Sequence, residues 1–150
     1  MEKNVADQIK KYARFKRSED ITKFEKIISE ILKLNDSKYI PILMNAFDDE
    51  TEFEEVMYSL VHAVESYPKQ AYISSLIKEI PHGLQSYPYW LEKLVNRIFN
   101  DEAYLSDFRK NMHLLSKEDI IQLLDLVAEE SEHHEKLCTE LKKEILERSE

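Results

Sequence analysis

The chain has 150 residues, of which 43% are apolar and 34% charged, with a formal net charge of −9. That length and apolar share fit one domain, 1–150, with a core that needs no staples, and they exclude a disordered chain. The charge is uneven: residues 1–35 carry nine Lys/Arg against six Asp/Glu, and residues 36–150 twelve against twenty-four. An acidic body repels phosphate backbones, so direct nucleic-acid binding is not expected.

Gly occurs once, at Gly83, and Pro four times, which favours helix over a turn-rich β fold. In chain order, Val5, Ile9, Tyr12 and Ala13 mark a short first helix. The cluster Lys10, Lys11, Arg14, Lys16 and Arg17 beside it reads as a solvated basic face. Ser18 is placed to cap a second helix with the stripe Ile21, Phe24, Ile27, Ile28, Ile31 and Leu32. Asn35 suits its end, because Asn tolerates the left-handed conformation. Asp36 can cap a short helix carrying Ile40, Leu43 and Phe47, with Pro41 in the first turn.

Thr51 and Glu54 have capping-box spacing. The helix they open carries Phe53, Val56, Met57, Leu60, Val61 and Val64. Ser66-Tyr67-Pro68 ends it, since the residue before Pro disfavours helix. Tyr72, Ile73, Leu76, Ile77 and Ile80 form the next stripe, expected to stop around Pro81 and Gly83. Ser86-Tyr87-Pro88 repeats the junction and opens a helix with Trp90, Leu91, Leu94, Val95, Ile98 and Phe99, ending at Asn100. Tyr104, Leu105, Phe108 and Met112 mark a short helix. Ser116 caps another with Ile120, Ile121, Leu124 and Val127, and Leu137, Leu141 and Ile145 mark the last. No segment alternates with period two. The expected fold is all-α: eight or nine helices as antiparallel hairpins, stacked in a small HEAT-like bundle or short solenoid.

Enzyme signatures are mostly absent: a single Gly excludes Gly-rich phosphate loops and the dinucleotide fingerprint, and there is no Gly-x-Ser-x-Gly elbow. Cys138 is alone, cannot form an internal disulfide, and reads as a buried structural thiol in a reducing, cytoplasmic compartment. Glu129/His133 and Glu130/His134 are spaced to share a helix face, but no third ligand accompanies them. No metal and no cofactor is expected, no apolar run is long enough to span a bilayer, and the Met1 end does not read as a signal stretch.

The strongest local feature is acidic. Asp48, Asp49, Glu50, Glu52, Glu54 and Glu55 place six carboxylates in eight residues with no Lys or Arg among them. Acids near a helix N-terminus favour its dipole, which accounts for two or three of them. The rest point either to a solvated turn or to a basic protein partner. His62 and Glu65, three apart on the following helix, can pair locally or extend that face together with Tyr58. Tyr87 and Tyr89 are candidates either for junction packing or for interface anchors.

Residues 36–66 loosely resemble a HEAT unit, with Pro41 after a capping Asp36. A more specific likeness covers residues 47–66. Glu54, Val56, Met57, His62 and Glu65, followed later by Pro88, Trp90, Arg97, Ile98 and Asn100, resemble the immunity protein 30 family of bacterial polymorphic toxin systems. Glu55 stands in a variable place, and Phe99 departs from the family pattern, where Leu is expected. The likeness spans roughly residues 20–112. It implies a small helical antidote that binds the C-terminal domain of a cognate secreted toxin, a domain expected to be basic. The alternatives are a HEAT-like adaptor without a toxin partner and a HEAT-like glycosylase, the latter disfavoured by the acidic charge. The residues expected to bind the partner are Asp48, Asp49, Glu50, Glu52, Glu55, Tyr58, His62, Glu65, Tyr87 and Tyr89.

Overall fold

A computed structural model describes residues 5–9 and 18–147. Tyr12, Ala13 and the basic cluster Lys10, Lys11, Arg14, Lys16 and Arg17 lie outside the described residues, as does the Ser18 side chain. The described residues form helices, 3-10 turns and connections, with no strand among them. The helices are α1 (residues 5–9), α2 (Ser18–Lys33), α3 (Ile40–Met44), α4 (Glu54–Glu65), α5 (Lys69–Ser86), α6 (Pro88–Phe99), α7 (Glu102–Asn111), α8 (Lys117–Glu130) and α9 (Glu135–Glu147). The all-α expectation holds. The chain divides into two compact units, 1–75 and 76–150, with the boundary inside α5.

In the first unit, α2 and α3 both pack on α4. The contact on the α2 side is made by its expected stripe: Phe24, Ile28 and Ile31 are buried, while Thr22, Glu25, Lys26, Ser29 and Glu30 are exposed. Asn35 ends the run at φ 48°, the left-handed conformation its short polar side chain tolerates. Asp36 then accepts a hydrogen bond from the Lys38 amide at 3.0 Å and starts the 3-10 turn Ser37–Tyr39 that leads into α3. Pro41 sits in the first turn of α3, where its missing N–H breaks no helical bond. Helix α4 buries Val56, Met57, Leu60, Val61, Ala63 and Val64.

The capping box expected at Thr51 does not form. Phe53 holds the N-cap position of α4, and Thr51 Oγ1 accepts from the Phe53 amide at 3.1 Å, one step ahead of the helix. Thr51 therefore orders the approach to the helix instead of its first turn.

In the second unit, α6 packs against α7 and α8, and α8 against α9. Pro88 falls in the first turn of α6, and Asp101 caps α7 through the Ala103 and Tyr104 amides at 3.0 and 3.2 Å. Ser116 caps α8 through the Asp119 amide at 3.1 Å. The hairpin α8–α9 is tied across by Lys142 Nζ and Asp125 Oδ1 at 2.6 Å, and Arg109 on α7 pairs with Glu144 on α9. The two Ser-Tyr-Pro segments both lie at helix junctions, as the sequence pattern implies.

Helix α5 does not stop at Pro81 and Gly83; it runs through both to Ser86. An interior Pro removes one backbone bond, which costs about 3 kcal/mol in an isolated helix. Here Ile80, Leu84 and Tyr87 are all buried, so side-chain packing on both flanks of Pro81 holds the axis. Gly83 has a separate reason to be Gly. A Cβ there would lie 3.1 Å from Tyr87 Cε2 and 3.3 Å from Leu91 Cδ2, so the missing side chain lets α6 and its entry residue close on α5. Replacing Gly83 by Val is expected to destabilise the protein by about 1–3 kcal/mol through overpacking. Gly83→Ala should lose less, because the gain in helix propensity, about 1 kcal/mol, offsets part of the crowding. Urea unfolding followed by circular dichroism measures both.

Candidate functional site

The acidic segment is the corner between α3 and α4. Ala46 and Phe47, both buried, pin its start to the core of the first unit. Asp48 Oδ1 accepts from the Glu50 amide at 2.9 Å, and the Asp48 carbonyl accepts from the Thr51 amide at 3.3 Å. Such a side-chain-to-backbone turn is a recurrent use of Asp. Asp48 and Asp49 are half-buried, whereas Glu50, Glu52, Glu54 and Glu55 are exposed. Glu54 and Glu55 occupy the first turn of α4, where the helix dipole favours them.

Because α4 buries one face, Glu55, Tyr58 and His62 emerge on the other. Tyr58 is 38% exposed, unusually open for a ring on a packed helix. His62 Nδ1 lies 3.9 Å from Glu65 Oε1, a long i,i+3 pair with His62 well exposed and Glu65 half-buried. Ser59 Oγ faces Glu25 Oε1 of α2 at 3.5 Å. One exposed strip therefore carries Glu50, Glu52, Glu55, Tyr58 and His62, with Glu65 at its far end. That surface can present negative charge and one aromatic ring to a partner.

The second unit separates the two tyrosines expected to act as anchors. Tyr89 is 39% exposed, packs edge-on against Trp90 at 5.3 Å, and has Lys93 Nζ 4.9 Å above its ring. Tyr87 is not on the surface. It is 1% exposed and donates its hydroxyl proton to Glu79 Oε1 at 2.9 Å, with the His82 ring edge-on at 5.9 Å. The physical reason is the corner itself: Gly83 opens a slot on α5, and the Tyr87 ring fills it. Its role is junction packing, the other of the two readings open to it. Trp90 is core, as its stripe implies.

The Glu129/His133 and Glu130/His134 pairs do not share a helix face. Helix α8 ends at Glu130, Ser131 turns the chain out at φ −143° and ψ 101°, and Glu132–His134 form a 3-10 turn. Among the described residues no group of three or more His, Cys, Asp or Glu could hold a metal ion. Two shallow hollows of the second unit, over Thr139, Lys142, Lys143, Leu146 and Glu147 and over Glu102, Leu105, Ser106, Arg109 and Lys110, bring no histidine against a nucleophile. No helix of the described residues is long and apolar enough to cross a membrane.

Two buried polar side chains escaped the sequence pattern. Glu92 on α6 is 3% exposed; burial pushes its carboxyl up, Glu130 adds to this, and Lys93 at 3.6 Å opposes it. His134 is 4% exposed, and burial pushes its imidazole down. Glu92 sits between Leu91 and the Leu94–Val95 pair, and nothing in the spacing separates it from a solvent-facing Glu.

These features describe a helical protein with an open, acidic polar surface at the α3–α4 corner and along α4. The immunity protein 30 family model matches residues 11–108, about two thirds of the chain, and the chain belongs to that family. The match covers α2 to α6 and most of α7 and leaves α8 and α9 outside it. Comparison with curated proteins and with solved structures gives no match.

Cys138 is buried, and burial pushes its thiol up to about 11, with Asp125 adding to the shift and Lys142 opposing it. A thiol held this far from its thiolate is a poor nucleophile. Ellman's reagent at pH 8 is expected to label it slowly in the native protein and to completion within minutes in denaturant. Rapid native labelling would contradict a packed, protonated thiol.

Proposed function

We propose that this protein protects its producer by binding the C-terminal domain of a cognate secreted bacterial toxin, as in contact-dependent inhibition. Membership of an immunity family implies a cognate toxin as partner, and the family match over residues 11–108 is the observation that carries the reading. It acts in the cytoplasm of the producing cell as a binding protein, with no reaction of its own. The toxin domain is basic, and a nuclease is the best fit: a groove built for nucleic acid attracts an acidic competitor by the same complementarity. Binding covers the active site or the path by which substrate reaches it.

The contact surface runs from the α3–α4 corner along α4, through Asp49, Glu50, Glu52, Glu55, Tyr58, His62 and Glu65. Asp48 contributes charge there while its carboxylate holds the turn. Tyr89 is a second open ring, on the other unit. Charges at the rim of such a surface speed encounter more than they slow release, whereas a desolvated ring or charge governs release.

Co-expression with the toxin domain encoded next to it should yield a complex that co-purifies. Reversing Glu50, Glu52 and Glu55 to Lys leaves the Asp48 turn intact and should slow association about tenfold or more at low salt, with a flatter dependence on ionic strength. The matched control is Glu129, Glu132 and Glu135 to Lys, equally exposed and of equal charge change. Surface plasmon resonance at two salt concentrations reads both. Equal losses from the two triple variants would reduce the effect to net charge. No loss from the corner variant would place the contact elsewhere.

A further inference from the structure

Outside the surface just described, the second unit contains a corner that polar groups close at some energetic cost. The α8–α9 turn, residues 131–134, packs against both helices it joins, and His134 is its buried residue. The imidazole lies edge-on against Phe99 of α6 at 5.8 Å, with the His133 ring 4.9 Å away. It makes a hydrogen bond to the Asn96 main chain, and its Nε2 meets no hydrogen-bond partner. The Asn96 amide oxygen on the same helix is likewise buried without a partner. A neutral ring tolerates this setting, because an unprotonated Nε2 is only an unfilled acceptor. In this arrangement a protonated ring would carry a buried Nε2–H that reaches no acceptor and a charge with little solvent.

We propose that His134 is a proton-sensitive latch: neutral, it holds the α8–α9 corner against α6, and on protonation the ring leaves its site and α9 loosens from the unit. The groups around it favour this direction. Glu130 ends α8, Glu132 and His133 share the turn, and Glu135 and Lys136 open α9; all five are exposed. His133, as a cation, opposes a second charge beside it. On α6, Lys93 is half-exposed, and the Glu92 carboxyl is itself pushed towards its neutral form by burial. Burial sets the His134 imidazole below its ordinary value of 6.5, and His133 adds to this. The sign follows: the stability contributed by the neutral ring is complete above the ordinary value. It is lost as pH falls from there through the depressed folded-state value. His134 lies beyond residue 108, outside the family match, whereas Phe99 and Asn96, which it meets, lie inside it.

The test is amide hydrogen exchange on the full chain between pH 7.5 and 5, corrected for intrinsic rates, comparing peptides from α9 with peptides from α4. In the wild type, α9 protection should fall several-fold more than α4 protection. His134→Phe, which keeps a ring against Phe99 and removes the proton, should abolish the difference. His133→Gln, at an exposed position, removes the neighbouring cation and should move the α9 midpoint to higher pH. Equal loss in the two helices, or an unchanged pH profile in His134→Phe, would overturn the latch. If His134→Phe does not fold, His133→Gln decides: a raised midpoint supports the latch, and an unmoved one overturns it.

Discussion

The corners among the described residues are turned without glycine, and that constraint shapes the rest of the structure. Without Gly to supply left-handed or open backbone, several helix ends are held by polar side chains or by Pro. Asn35 takes the single positive φ among the non-glycine described residues, and Asp36, Asp101 and Ser116 hold backbone amides with their side chains. Pro41 and Pro88 enter first turns where no bond is lost. The one glycine is spent inside a helix, where it admits the Tyr87 ring and Leu91. Side-chain caps of this kind each contribute about 1 kcal/mol, so a chain with several of them is specified at its corners as much as in its core.

This explains which parts of the fold were legible in the sequence. Stripes such as Phe24–Ile28–Ile31 and Leu91–Leu94–Val95–Ile98 are periodic and fall on buried faces, because one-sided burial imposes the period. Caps that use Asp, Asn or Ser carry a chemical signature and read well. The end of α5 did not, because local rules for Pro and Gly cannot see Ile80, Leu84 and Tyr87 holding the helix from the side. The Glu129–His134 stretch failed in the opposite way. Its spacing is helical, but Ser131 breaks the run with extended backbone, and the apolar period alone does not register that break.

The surface chemistry was legible only in part, for a related reason. An exposed Tyr and a buried Tyr look alike in a sequence, and what separates Tyr87 from Tyr89 is the slot at Gly83. Glu92 and His134 show the same limit for charge. Both sit in the interior of the second unit, and their environments push them in opposite directions, each towards its neutral form. Burial is the first cause in both.

The acidic corner is the place where structural need and residue content part company. Asp48 is used, since its carboxylate closes the turn on the Glu50 amide. Glu54 and Glu55 are used, since they stand in the first turn of α4 where partial positive charge gathers. Glu50 and Glu52 are exposed and lie ahead of that turn. They gain little from a dipole whose effect is confined to the first turn, and they repel the carboxylates beside them. A charge that costs the fold free energy at low salt has its reason outside the fold. On the proposed function, that reason is the surface of the toxin domain the protein binds.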